Sequence, residues 1–308
     1  VKSSCVRALA VGPAPIRIRS AADLRAHRAE HGIGHTVEQA ALAGLVADGL
    51  GWAFAGGYEA ALSRLDPEGM RGSVLGGLCA TEEGGGHPRA IQSVLTAREG
   101  GYLLSGKKSW VTLGSDADVL LVVASVGQEA GRNRLRVARV PLQREGVRIQ
   151  ETPPLPFVSE IAHAKAIFES VAVAESELLP GDGYDDVLKP FRTIEDVHVM
   201  ASSLGWGIGV ARASEWPRAW IDEAIALVAL FCAIGDAPAL APETHVVLAG
   251  AQAVATRLMD GAPWSKSGDA LRSRWERDRP LVNVAGNVRA ARLEAAWKAL
   301  AGGGSSTA

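Results

Sequence analysis

Apolar positions along the chain fall into three regimes. Up to about Gly72 they recur at helical spacing. Ala21–His31 and Val37–Val46 are rich in Ala, Leu, Glu and Arg and have no internal proline, as helices require. In Trp52–Leu65 the apolar positions Trp52, Ala55, Tyr58 and Leu62 repeat at three or four residues, and the run stops before Pro67. From Ser73 to Val173 the period falls toward two. Short β-rich runs cover Val74–Thr81, Ile91–Arg98, Tyr102–Lys107, Val119–Ser125, Leu135–Pro141 and Ala164–Val173. Gly100–Gly101 separates two of them at hairpin spacing. Leu135 and Val137 alternate with Arg136, while Val119–Ala124 is continuously apolar and is predicted to be covered on both faces. No long helix interrupts these runs, which predicts an antiparallel barrel or sandwich. Beyond Pro180 the helical period returns in Glu195–Ala213, Ile221–Ile234, Val246–Asp260 and Asn287–Leu300. Thr193 with Asp196 predicts a capping box at the first of these. Gly302–Ala308 has the composition of a flexible tail. The expectation is an α+β chain with a helical N-terminal region (1–72), an antiparallel β-barrel middle domain (73–179) and a C-terminal helical bundle (180–308).

Length and composition narrow the class. The chain has 308 residues, 47% of them hydrophobic and 21% charged, enough for a sizeable core without metal or disulfide staples. A net charge of −2 leaves no basic excess, so a nucleic-acid partner is not expected. No apolar run approaches the roughly 18 residues of a membrane span. The N-terminal apolar stretch is broken by Gly12, Pro13 and Pro15, and no export signal is read there. Cys5, Cys79 and Cys232 are odd in number and far apart. They form neither a disulfide framework nor a metal-ligand set, which points to a reducing cytoplasm.

Chemistry concentrates in Cys79–Gly114. A polar turn, Thr81–His87, holds three successive glycines at 84–86, where backbone can approach a ligand closely. Further on, Trp110 and Thr112 are spaced to share one face of a strand. An apolar ring beside a hydroxyl suits a flat heterocycle with polar edges. Elsewhere the signals are weaker. His163 and His198 match no nucleophile pattern, His245 lacks metal-ligand spacing, and Glu82 and Glu83 fall short of the oxygen ligands that a cation needs. The charged set Arg274, Glu276, Arg277, Asp278 and Arg279 is expected to be an ion-pair network or a solvated face.

Taken together, the loop Thr81-Glu82-Glu83-Gly84-Gly85-Gly86-His87-Pro88 and the strand Ser105-Gly106-Lys107-Lys108-Ser109-Trp110-Val111-Thr112-Leu113-Gly114 resemble the middle domain of the acyl-CoA dehydrogenase family. The family's pattern there is T-E-P-G-A-G-S-D followed by N-G-x-K-x-[WF]-[IV]-T-N-[GA]. The loop-to-strand spacing agrees within one residue. The likeness continues through Ala166–Val173 and Leu179-Pro180-Gly181-Asp182-Gly183-Tyr184, covering about residues 45–215. It implies FAD as cofactor. Thr81 would then touch the flavin edge, Trp110 would pack on the ring system and Thr112 would sit near its N5 and O4 side. The family's loop serine and aspartate are His87 and Pro88 here, so His87 would replace a hydroxyl in the cofactor contact. The resemblance also implies an acyl-CoA or carrier-bound acyl thioester as substrate, and a homodimer or a heteromer with a related subunit.

The chemistry so implied is α,β-desaturation of the thioester, which needs a carboxylate base at the α-carbon. Most members of the family place it in a late [YF]-E-G-T segment after an R-D pair. The matching stretch here runs from Arg277-Asp278 to Gly286, and Gly286 stands at the glutamate position. The isovaleryl-CoA and long-chain branches use an earlier glutamate, which corresponds to Glu195. Glu195 is therefore the expected base, or else an acid in the first turn of its helix, where the dipole favours it. The family's R-x-x-F-G loop is not visible between Ile221 and Val246, nor is its late glycine-rich segment. A non-catalytic subunit beside a full-length dehydrogenase is the alternative expectation, and a flavin-dependent oxygenase on the same fold is a weaker one.

Overall fold

Four helices form first: α1 (Ser3–Ala10), α2 (Ala21–His31), α3 (Thr36–Leu45) and α4 (Leu50–Leu65). The computed structural model describes residues 1–11, 15–32, 34–284 and 286–303. Helix α2 has the predicted bounds because Ser20 caps it. The Asp23 N–H donates to Ser20 Oγ at 3.1 Å, and the Asp23 carboxylate accepts from the Arg19 N–H, a reciprocal cap.

Seven strands follow: β1 (Gly76–Cys79), β2 (Val94–Arg98), β3 (Gly101–Thr112), β4 (Val119–Glu129), β5 (Arg132–Pro141), β6 (Val147–Glu151) and β7 (His163–Ala174). β6 escaped the sequence pattern, because only Val147 and Ile149 carry its apolar face. The sheet order is β1-β4-β2-β3-β7-β6, with β5 on β4. The β2–β3, β3–β7, β6–β7 and β4–β5 pairs are antiparallel, as expected. The β1–β4 pair and the single β2–β4 contact are parallel. A parallel neighbour needs a long connection, and here the β2–β3 hairpin makes it in place of a helix. Leu120–Ala124 are buried throughout, and Leu104, Leu120, Val122, Phe168, Val171 and Val173 belong to one apolar core.

The third group is α5 (Lys189–Ala213), α6 (Arg218–Asp236), α7 (Pro242–Asp260), α8 (Asp269–Asp278) and α9 (Gly286–Gly303). Of the expected tail, residues 304–308 lie outside the described residues. Helix α5 begins six residues before the predicted start. A π-helical turn, Gly183–Leu188, runs directly into it, and this turn is capped by Asp182, which accepts from the Tyr184 and Asp185 N–H groups. Pro190 follows that turn inside a continuous helical run, where it has no N–H to donate. Thr193 and Asp196 therefore form no capping box. Thr193 is buried one turn inside the helix, and Asp196 faces arginines of α9.

The chain divides into two compact units. One comprises Val1–Ala61, Pro156–Val158 and Arg192–Ala308, and the other comprises Leu62–Leu155 and Ser159–Phe191. Within the helical unit α3 and α5 cross almost backbone to backbone. A Cβ on Gly44 would lie 1.9 Å from the Ser202 carbonyl oxygen, and one on Gly205 would lie 2.0 Å from that of Ala41. Only hydrogen fits there. Small residues at that crossing hold α5 in one rotation about its axis.

Candidate functional site

The sheet face that carries Trp110 is made by a break in strand alternation. Up to Lys108 the even residues of β3 point inward, and Leu104 and Lys108 are buried. Between Lys108↔Ala166 and Val111↔Ala164 the register slips by one residue, a bulge on β3. An added residue reverses the phase of the strand. Past it Val111 points inward, and Trp110 and Thr112 share the opposite face, Trp110 exposed and Thr112 buried. Leu113 follows with φ 68°, buried in the left-handed region that favours glycine.

Trp110 is 39% exposed. Its ring lies 4.5 Å from that of His163, the strand partner of Thr112 on β7. His163 is buried, and desolvation holds its imidazole below the usual range, so it is neutral at pH 7. Its Nδ1 is buried without a hydrogen-bond partner among the described residues. Sequence reasoning passed over His163, since only the pairing of β3 with β7 sets it behind Trp110.

Thr81 joins the same strand, its carbonyl accepting from the Ser109 N–H at 2.9 Å. His87 is exposed, and its Nδ1 accepts from the Arg89 N–H at 3.2 Å. That bond assigns the ring proton to Nε2 in the neutral ring, leaving one outward donor. Glu82, beside Thr81, has a structural task. Its carboxylate accepts from Lys108 Nζ at 2.7 Å, from Ser93 Oγ at 2.8 Å and from the N–H groups of Ser93 and Gln92. Desolvation would raise its pKa, but Lys108 and these N–H donors outweigh burial and hold it below the usual carboxylate range. The bulge that turns Trp110 outward thus follows a residue locked inward by an ion pair.

Glu195 belongs to the helical unit and lies in the second turn of α5, so it is not a helix-start acid. It is half-buried, and its carboxyl is pushed up to about 7, first by burial and then by the neighbouring Asp196 charge. Asp196 is itself clamped. Arg289 donates to it from Nε at 2.9 Å and from Nη2 at 2.6 Å, and Arg292 adds a further contact. Arg289 also donates to the Val282 carbonyl at 2.6 Å. The segment before Gly286 is in this way tied to α5 next to Glu195. His198 supports the helix, with Nδ1 donating to the Ile194 carbonyl and Nε2 accepting from Thr36 Oγ1 at 2.8 Å. Gly286 is exposed and brings no side chain. The set around Arg277 is a network, with buried Asp278 accepting from Arg277 and from the Val158 N–H.

Thr81, His87, Trp110 and Thr112 therefore belong to the sheet unit, whose strands form an open, curled sheet and not a closed barrel, and Glu195 to the helical one. Among the described residues no group of three or more His, Cys, Asp or Glu side chains could hold a metal ion, and no helix is long and apolar enough to cross a membrane.

A helical region, a curled and mostly antiparallel sheet and a second helical bundle define the acyl-CoA dehydrogenase fold class. Residues 77–171 match the family model described as "Acyl-CoA dehydrogenase, middle domain". The match covers the middle of the chain, which over that stretch resembles the acyl-CoA dehydrogenase family. Among curated proteins it is 27% identical over 157 residues to benzylmalonyl-CoA dehydrogenase of Aromatoleum aromaticum, an alignment covering 50% of this chain and 40% of that protein. Among solved structures, PigA with FAD and proline superposes with a TM-score of 0.67 at 14% identity, covering 92% of this chain and 90% of the other. Butyryl-CoA dehydrogenase from Megasphaera elsdenii superposes at 0.63 and 15% identity, covering 96% and 90%. Both structural likenesses are of fold.

Proposed function

We propose that the chain is a flavoprotein dehydrogenase that desaturates an acyl thioester, with FAD held on the Trp110 face and Glu195 as the base. The observation that carries this reading is the exposed indole of Trp110, backed by a neutral His163 and next to Thr112. A flat ring with polar edges fits such a face: one apolar surface to cover and polar groups at its rim. The family match across this same strand and the FAD named for PigA support the cofactor. The names of the benzylmalonyl-CoA and butyryl-CoA dehydrogenases support a CoA thioester.

FAD, when bound, supplies the acceptor for the hydride that leaves the substrate β-carbon. The chain's own residues do the rest. Trp110 covers one side of the ring and excludes water there. Thr112 and Thr81 offer hydroxyls to its edge, and His87 offers its Nε2–H. Glu195 takes the α-proton. A base works best with a pKa near the working pH, and burial beside Asp196 brings Glu195 there.

The test has two stages. Titration with FAD should shift the flavin absorbance bands and quench flavin fluorescence, and Trp110→Ala should weaken that binding. Anaerobic mixing with a panel of acyl-CoA thioesters should then bleach the flavin. Glu195→Gln should leave flavin binding intact and slow bleaching by about 100-fold or more. A chain with no flavin affinity overturns the reading and favours a non-catalytic subunit. Equal bleaching by Glu195→Gln and its parent assigns the base elsewhere.

A further inference from the structure

The sheet face that carries Trp110 does not end at the indole. Along β7 His163, Lys165 and Ile167 share one side of the sheet, because Ala164, Ala166 and Phe168 belong to the core on the other. Lys107 is the strand partner of Ile167, and Gln150 that of Lys165, so both lie on the same side. With Ser109 these residues line a groove of about 900 Å³. Glu83 and Gly84 of the glycine-rich loop line it as well. Lys165 is two residues from His163, about 7 Å along the strand, and Ser109 immediately precedes Trp110. The groove therefore opens beside the indole on one face, and all of it lies in the sheet unit.

Its charges are unbalanced. Lys107 and Lys165 are diagonal neighbours on adjacent strands, a Cβ spacing of about 7–8 Å that long side chains span. Both are exposed, and neither makes an ion pair among the described residues. Arg148, also on this face, is matched by Glu169, and buried Lys108 by Glu82. Glu82 lines the groove too, but Lys108 already neutralises it. That leaves Glu83 as an exposed carboxylate against two ammonium groups. Like charges side by side repel, and an anion bound between them turns the repulsion into attraction.

The donor set selects the anion. Two ammonium groups, the Ser109 hydroxyl and the Gln150 amide come from three adjacent strands. A carboxylate offers them two oxygens, whereas a phosphate offers three or more. Lysine meets phosphate as a flexible point charge.

We propose that this groove is an anion subsite in which Lys107 and Lys165 hold a phosphate or pyrophosphate group. The subsite itself stands apart from flavin binding. Which molecule carries the phosphate, a flavin nucleotide or a CoA thioester, rests on the function proposed for the Trp110 face.

Calorimetric titration with inorganic pyrophosphate at low ionic strength tests the subsite without flavin. The full chain should bind it, and added salt should weaken the binding. Lys107→Gln and Lys165→Gln should each weaken it about two- to fivefold, the scale of one exposed charge pair, and the double variant by on the order of tenfold. Glu83→Gln should tighten it about twofold, a gain that damage to the fold would not produce. Circular dichroism of all four variants should match the parent. Paired ligands then read the source of the phosphate. Loss of affinity for FAD but not for riboflavin in the double variant assigns the cofactor's phosphates to the groove. Loss for CoA but not for pantetheine assigns the thioester's. Lysine-dependent pyrophosphate binding with FAD and CoA both unaffected upholds the subsite and separates it from the Trp110 face. A parent chain that does not bind pyrophosphate at millimolar concentration, or a double variant that binds it as the parent does, overturns the proposal.

Discussion

Glu195 keeps its proton to a pH at which an ordinary glutamate has lost it. An unfolded glutamate ionises near pH 4.3, whereas this one is pushed up to about 7 by burial and by Asp196. A carboxyl whose folded pKa lies above its unfolded value stabilises the fold fully below the unfolded pKa. That contribution drains away as pH rises through about 7. Glu195→Gln is neutral at every pH. It should match the parent in urea unfolding at pH 4 and exceed it at pH 8, by on the order of 1–3 kcal/mol. Equal stability of the two at pH 8 would mean that Glu195 ionises freely. In the sequence Glu195 stands out only through the family resemblance. Its environment was not legible there, because Arg289 and Arg292 come from a helix more than ninety residues later. His163 was illegible for the same reason, as a histidine shows a role only beside its strand partner.

Elements were legible where periodicity ran long, and were lost where one side chain or one turn decided. The helix Ala21–His31 matches expectation, and the β2–β3 hairpin forms where expected, with its turn at Glu99–Gly100, one residue before the expected Gly100–Gly101, because Gly101 already pairs with Arg98. The bulge after Lys108 left no such trace, and it follows a lysine whose amine is drawn inward to Glu82. The turn between β4 and β5 offers a direct check on local chemistry. Ala130 and Gly131 both have positive φ, at 48° and 74°, between the paired Glu129 and Arg132. That is the pattern of a type I′ turn, which prefers Asn-Gly. Ala130→Asn keeps the glycine and places a residue tolerant of the left-handed region. It should stabilise the protein by about 0.5–1 kcal/mol, the scale of a relieved turn conformation. Urea or thermal unfolding measures this, and a loss of stability would mean that the turn is held in another conformation.

For the molecule as a whole, ligand linkage is the test that reports on folding rather than on turnover. FAD binding only to the folded chain should raise Tm with flavin concentration. At a hundredfold excess over Kd the stabilisation should be about 2.7 kcal/mol, and Trp110→Ala should shrink it. A Tm that does not move with FAD would remove the cofactor from the reading. By itself the sequence determined the order of helices, sheet and helices, the loop and strand that match the family, and the glycine where a late glutamate would be. These are properties of residues near one another along the chain: periodicity, spacing and turn chemistry. Only the tertiary structure decided that Lys108 turns in while Trp110 turns out, that His163 backs the indole, and that Glu195 lies inside its helix beside a clamped Asp196. Each of these depends on segments far apart in sequence, where burial and charge are set by what the fold packs alongside.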